Sequence, residues 1–203
     1  MLFKTSLVLA AGLLAASAAL AQAVVGQPAP AFTATDASGK AVSLADFKGK
    51  HVVLEWVNPG CPFVVKHYAS GNMQATQKDS TSKGVVWLAV NSTASDHQDY
   101  KAPSAMAGWM QQQKAGATAT LMDADGKVGR AYGARTTPHM YVINASGTLV
   151  YAGAIDDKPT ASQADIPGSR NHVKAALAES LAGKPVSMAS TRPYGCSVKY
   201  NAG

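Results

Sequence analysis

The sequence predicts an α/β protein with a central mixed β-sheet, helices on both faces and a β-hairpin extension at the N-terminal side. Three observations carry this. Residues 51–57 and 85–90 are short, almost wholly apolar runs rich in valine, the pattern of strands buried on both faces. Polar segments with helical spacing follow each of them. Tyr141-Val-Ile and Thr148-Leu-Val-Tyr flank Asn144-Ala-Ser-Gly, which reads as a hairpin and adds an antiparallel pair to the parallel centre.

Residues 1–23 stand apart from this fold. One early lysine (Lys4), an apolar run over 7–20 and small residues at Ala19, Ala21 and Ala23 form the three-part layout of a secretory signal peptide. Cleavage is expected after Ala21 or Ala23. The run is short and alanine-rich for a membrane span, which needs about 20 apolar residues. Residues 24–203 are expected to form one exported domain, periplasmic or secreted, that ends in a cysteine-containing tail and makes no stable membrane insertion after cleavage. The formal net charge is +6. Lysines and arginines are scattered, which describes a solvated surface and argues against a nucleic-acid partner.

Taken in order, a proline-containing lead-in precedes Phe32-Thr-Ala-Thr and Ala41-Val-Ser-Leu, which flank Asp36-Ala-Ser-Gly-Lys as a small hairpin. Phe47-Lys-Gly-Lys turns the chain into the strand over 51–57. The stretch from Cys61 to Lys83 reads as a helix broken near Gly71 and Asn72. Residues 85–90 form a buried parallel strand, 92–103 a polar loop, and 104–114 a helix with Trp109 on its inner face. Ala119-Thr-Leu-Met is a strand, and Asp123-Ala-Asp-Gly a plain turn, since it lacks the later ligands and closing glutamate of a calcium loop. Residues 155–169 read as loop. Val173, Ala176, Leu177 and Leu181 mark a last helix that stops at Gly183-Lys-Pro. The tail from Ser187 has no periodicity and reads as flexible.

Chemistry concentrates where the strand over 51–57 breaks at Asn58-Pro59-Gly60 and Cys61-Pro62 follows. A cysteine at a strand-to-helix junction meets the helix dipole and free backbone N–H groups, which favour the thiolate. The alternative is a small buried hydrophobe, but a Pro-Gly break and a following proline suit a strand interior poorly. Cys196 is the other cysteine. In an oxidising compartment the two are a staple worth about 5 kcal/mol, a reacting pair, or two unrelated thiols.

Together these residues resemble the thioredoxin superfamily, in its redoxin branch of peroxiredoxins and exported thiol-disulfide oxidoreductases. The resemblance rests on Gly26-Gln-Pro-Ala-Pro-Ala-Phe, Leu44-Ala-Asp-Phe-Lys-Gly-Lys, the strand ending in Cys61, and Thr136-Thr-Pro-His. Gly153-Ala-Ile-Asp-Asp and Tyr194-Gly-Cys-Ser-Val-Lys-Tyr resemble an exported subgroup with a C-terminal Gly-Cys motif. The resemblance implies a thioredoxin-like sandwich with Cys61 as nucleophile. It implies a cis peptide at Pro138, where Thr137 and Pro138 present a backbone edge to substrate, with Asn58 and Pro62 beside them. Glu55 falls where thioredoxins keep a buried acid that relays protons; its alternatives are a solvent-facing glutamate or a lysine partner.

The departures narrow the chemistry. Val64 stands where a Cys-x-x-Cys pair would place its second cysteine, and Val65 where copper-delivery relatives place theirs, so no metal or other cofactor is expected. Asn58 and Leu54 replace the threonine and proline of the peroxiredoxin signature. Pro138 occupies the place of the peroxidatic arginine, with Arg135 nearby. His67 and His139 are candidate ion-pair partners for the Cys61 thiolate, while Tyr68, Trp56 and Trp109 read as core or pocket wall. The reading is an exported thiol-based oxidoreductase, in thiol-disulfide exchange on protein thiols or disulfides or in an antioxidant role, with Cys61 as nucleophile, Cys196 as candidate resolving thiol and an external thiol reductant. The alternatives are a thiol peroxidase acting on a peroxide, and a non-catalytic binding protein stapled by Cys61–Cys196.

Overall fold

The computed structural model describes residues 22–201. The predicted signal peptide lies outside these residues except for Gln22 and Ala23. Strands β1 (Thr33–Asp36) and β2 (Ala41–Ser43) form the expected hairpin. Its turn is closed by the Asp36 carboxylate, which accepts the backbone N–H groups of Ser38 and Lys40. Strands β3 (Val52–Trp56) and β4 (Val86–Asn91) are buried along their whole length. The remaining strands are β5 (Ala119–Met122), β6 (Thr136–Thr137), β7 (His139–Ile143), β8 (Leu149–Gly153) and β9 (Cys196–Ser197).

The main sheet runs β2-β1-β5-β4-β3-β7-β8. Strands β3, β4 and β5 are parallel, β1 and β7 flank them antiparallel, and β2 and β8 pair antiparallel with β1 and β7 in turn, so the sheet is mixed as the sequence predicts. The hairpin lengthens the sheet beyond β5. Strands β6 and β9 form a separate two-stranded ribbon.

Alternation along β3 sorts its side chains between two cores. Val53, with Val57 just beyond the strand, meets Met73, Met106, Val173 and Leu177. These come from α2 (Asn72–Thr81), α3 (Pro103–Gln112) and α5 (His172–Leu181). Leu54 and Trp56 face the other side, against Phe32, Val128 and Tyr132. Val128 and Tyr132 belong to α4 (Lys127–Tyr132), a short helix absent from the sequence reading. Helix α4 begins where the Asp123 carboxylate accepts the backbone N–H groups of Val128 and Gly129. The Asp123 turn is thus a helix cap, and among the described residues no cluster of metal-ligating side chains occurs. No described helix is long and apolar enough to cross a membrane.

The tail departs from expectation. Far from being loose, it is held on both sides of Cys196. Upstream, the backbone N–H of Thr191 donates to Ala152 O at 3.2 Å. Downstream, Val198 N–H donates to Arg135 O, Ala94 N–H to Lys199 O, and the Tyr200 hydroxyl to Ala134 O. The Tyr200 ring lies so close over Gly126 and Gly129 that neither position has room for a Cβ. Periodicity is blind to such a segment, because its partners lie far away in sequence.

Candidate active site

Helix α1 (Pro62–Ala69) starts at Cys61, which is its N-cap residue, and Pro62 takes the first helical position, where the missing N–H costs nothing. The turn before it is built by Asn58. The Asn58 side-chain oxygen accepts Gly60 N–H at 2.9 Å, its backbone oxygen accepts Cys61 N–H at 3.0 Å, and its amide donates to Asp99 at 3.4 Å. Asn58 is buried and shapes the loop, whereas Pro62 is exposed beside the cysteine. Cys61 is only 1 % exposed.

Across from Cys61 lies β6, followed by the cis Thr137–Pro138 peptide. The Cys61 thiol donates to the Thr137 carbonyl at 2.9 Å. Strand β9 pairs antiparallel with β6 in the register Thr137 to Cys196, which brings Cys196 to the same residue whose carbonyl Cys61 contacts and packs it against the core cluster that holds Cys61. The approach depends on Gly195. Its φ of 128° is rare for residues with a side chain, and a Cβ there would overlap the Thr137 carbonyl. Both cysteines are free thiols. The structure therefore brings together Cys61, Cys196, Thr137 and Pro138.

Burial works against a charged Cys61. The hydrogen-bonding groups around the sulfur, first the Thr137 side chain, then the Cys196 side chain and backbone and the Val64 backbone, favour the charged form and outweigh burial, so the Cys61 pKa falls below that of an ordinary cysteine. Cys196 goes the other way, pushed up to about 11 by burial, then by the hydrogen bond with Cys61 and its charge. The two thiols are thus pushed in opposite directions, Cys61 down and Cys196 up. The Thr137 hydroxyl is buried and has no hydrogen-bond partner while Cys61 is a thiol. It is placed to donate once the sulfur is charged. Thr137→Val is accordingly expected to raise the Cys61 pKa and to slow its alkylation at neutral pH by on the order of tenfold, the worth of one hydrogen bond to a charged group. A pH series of iodoacetamide rates checks this, and an unmoved midpoint would remove Thr137 from the thiolate's support.

Glu55 is fully buried, with Oε1 accepting the Tyr68 hydroxyl at 2.8 Å and Oε2 accepting Gln77 at 3.0 Å and the Trp87 indole at 2.7 Å. Burial raises its pKa against the pull of these three donors. Neither the solvent-facing nor the lysine-paired alternative applies, and among the described residues none of its hydrogen bonds goes to Cys61. The two histidines correct an expectation. His67 bonds Tyr194 and Asn72, and His139 lies against Tyr141 and Arg135 N–H. Burial holds each down to about 4, so both are neutral at neutral pH and neither pairs with the thiolate.

Sequence reasoning missed a buried polar cluster beside the pair. Lys66 and Asp156, both with fully buried side chains, stand 3.7 Å apart, and the Tyr194 hydroxyl donates to Asp156 Oδ1. Gly153-Ala-Ile-Asp-Asp and Tyr194-Gly-Cys contain two of these residues, and nothing in the sequence marks Lys66. A cleft of about 590 Å³ runs alongside, with Asp156, His172, Arg192, Tyr194 and Gly195 in its walls.

The family model described as the AhpC/TSA family matches residues 25–152. No curated protein matches the chain. Among solved structures, a hypothetical protein from Sinorhizobium meliloti is 26% identical with a TM-score of 0.76, over 89% of this chain and 96% of that one. An uncharacterized conserved protein from Geobacillus kaustophilus is 28% identical with a TM-score of 0.74, over 89% and 94%. A secreted disulfide oxidoreductase of Mycobacterium tuberculosis, homologous to E. coli DsbE, is 27% identical with a TM-score of 0.50, over 68% and 92%. The fold is thioredoxin-like, as the resemblance implied.

Proposed function

The chain belongs to the AhpC/TSA family, and on that premise we propose that it is an exported thiol-disulfide oxidoreductase whose redox couple is Cys61 and Cys196. The observation that carries this reading is the β6–β9 pairing, which sets the second cysteine against a first one at a helix N-terminus. The Cys61 thiolate attacks one sulfur of a substrate disulfide, forms a mixed disulfide and expels the other sulfur as a thiolate. Cys196 then gives up its proton and attacks the Cys61 sulfur. This releases the second substrate thiolate and leaves a Cys61–Cys196 disulfide, which two electrons from an external thiol reductant reopen. Part of the upward push on Cys196 comes from the charge of Cys61. That part vanishes once Cys61 is in a mixed disulfide, which lowers the Cys196 pKa towards the range where its thiolate can attack.

A peroxide oxidant is the second reading, favoured by the deep burial of Cys61, which a small molecule reaches more easily than a protein does. Cys61 would become a sulfenic acid as the peroxide is reduced to an alcohol or water, and Cys196 would condense with it, releasing water. Export rests on residues 1–23 and is supported by the secreted character of the mycobacterial relative. Ala23 N–H donates to Ala131 O at 2.9 Å, a bond that cleavage after Ala21 keeps and cleavage after Ala23 loses.

The test is to treat the reduced exported protein with a small disulfide and, separately, with hydrogen peroxide, following intact mass. Loss of two hydrogens in wild type, an adduct trapped on Cys61 in Cys196→Ser, and no reaction in Cys61→Ser are expected. The faster oxidant names the substrate, and the starting mass reads whether the chain begins at Gln22. A Cys61–Cys196 bond that resists thiols until the protein unfolds would replace this reading with the non-catalytic stapled protein.

A further inference from the structure

We propose that Tyr194 is a positioning residue that latches Cys196 over Cys61, with Asp156 as the buried anchor of the latch; this rests on the Cys61–Cys196 reading above. Asp156 Oδ1 accepts Lys158 N–H at 3.0 Å and the Tyr194 hydroxyl. Oδ2 has no hydrogen bond and lies 3.7 Å from Lys66 Nζ and 3.9 Å from His67 Nε2. The His67 Nε2 also meets the Tyr194 hydroxyl at 3.2 Å. The Tyr194 ring is held as well, edge-on to Phe63 at 5.8 Å and beneath Lys66 Nζ at 5.7 Å from its centre.

The connectivity gives this cluster its purpose. Phe63, Lys66 and His67 all lie on α1, the helix that Cys61 begins. Tyr194 lies two residues before Cys196, joined to it only through Gly195, whose φ of 128° the close approach to Thr137 already fixes, so the anchorage of the Tyr194 side chain is passed on over two peptide units. One contact set therefore ties the helix of the first cysteine to the strand of the second. Taking Lys66 and Asp156 out of water is costly, and apolar side chains would fill the same space at least as stably. The buried charges instead fix the place of one hydroxyl, and with it the register of the residue two positions on. With the latch closed, Cys196 is held at high effective concentration against Cys61. With it open, Cys61 and the Thr136–Thr137 edge lose their cover.

Tyr194→Phe in the full chain removes only the hydroxyl and keeps the ring packing, and Tyr200→Phe is its matched control on the other side of Cys196. Two quantities are read: the equilibrium constant for closing the Cys61–Cys196 disulfide in a thiol redox buffer, and the alkylation rate of Cys61 in the reduced protein. Tyr194→Phe is expected to lower the first about tenfold, equivalent to about 30 mV for a two-electron couple, and to raise the second severalfold. Tyr200→Phe leaves both within twofold of wild type. No change in Tyr194→Phe, or equal changes in the two variants, would overturn the latch. A wild type that closes no disulfide would sink the redox reading alone, because the alkylation rates still decide the latch.

Discussion

Gly195→Ala is expected to part the β6–β9 ribbon and bare Cys61. The new methyl would overlap the Thr137 carbonyl, a backbone atom with nowhere to go, and φ at this position is 128°. Overpacking costs about 1–3 kcal/mol, and an unfavourable backbone conformation adds about 1–3 kcal/mol. The chain has a cheaper way out than unfolding, since the tail can detach while the seven-stranded sheet stays whole. Iodoacetamide should then modify Cys61 at least tenfold faster than in wild type, while the main thermal transition moves by only a few degrees. Closure of the Cys61–Cys196 bond should slow in step. Unchanged alkylation would mean that the ribbon tolerates a side chain at this position, and the close approach would lose its claim to set the cysteine geometry.

Glu55→Leu carries the largest expected loss of stability. It strips partners from the Tyr68 hydroxyl, the Gln77 amide and the Trp87 indole at once, all of them buried. Gln77 Nε2 still donates to the Tyr68 hydroxyl, so two donors are orphaned at about 1–3 kcal/mol each, and a total of about 2–6 kcal/mol is expected by urea unfolding. Glu55→Gln keeps the shape and most of the hydrogen bonding, and should fold. Its effect is on pH dependence. The folded-state pKa of Glu55 is raised, so the native state holds a proton that the unfolded carboxyl releases above about 4.3. Wild-type stability from this group is therefore greatest below that pH and falls as pH rises through the folded-state value. Glu55→Gln removes this slope, which unfolding curves between pH 4 and pH 8 resolve. A glutamine variant of native stability whose disulfide exchange is nonetheless slow would give Glu55 the general acid-base role that its resemblance implies.

The order of elements was legible because burial leaves a mark on neighbouring residues. Valine-rich runs around Leu54 and Leu88 name the central strands, and the Pro59-Gly60 break before Cys61 marks the strand-to-helix junction. Helix α4 escaped because it is only six residues long, runs from the left-handed Gly126 to the left-handed Gly133, and has Gly129 in its middle. No helical period can show over so short a span. The site was legible only as far as cysteine chemistry reaches. Cys61 and Cys196 stand out by type, and Thr137 with Pro138 by resemblance. Lys66, Asp156 and Tyr194 do not, because their meaning lies in contacts across long stretches of chain. A buried lysine and a surface lysine are the same letter.

The segment that carries Cys196 also touches the sheet at its rim. Strand β8 ends the seven-stranded order, and its Ala152 exchanges backbone hydrogen bonds with Ala189 and Thr191, while Gly26 and Gln27 serve Leu149 nearer its start. Gly153 sits so tightly under Thr191 that a side chain there would collide. A strand at a sheet's rim with unpaired N–H and C=O groups is a template for other chains, the usual seed of strand exchange and aggregation. Here the tail fills that template. A chain whose tail has lifted would therefore carry two exposures together, a reactive sulfur and an adhesive strand.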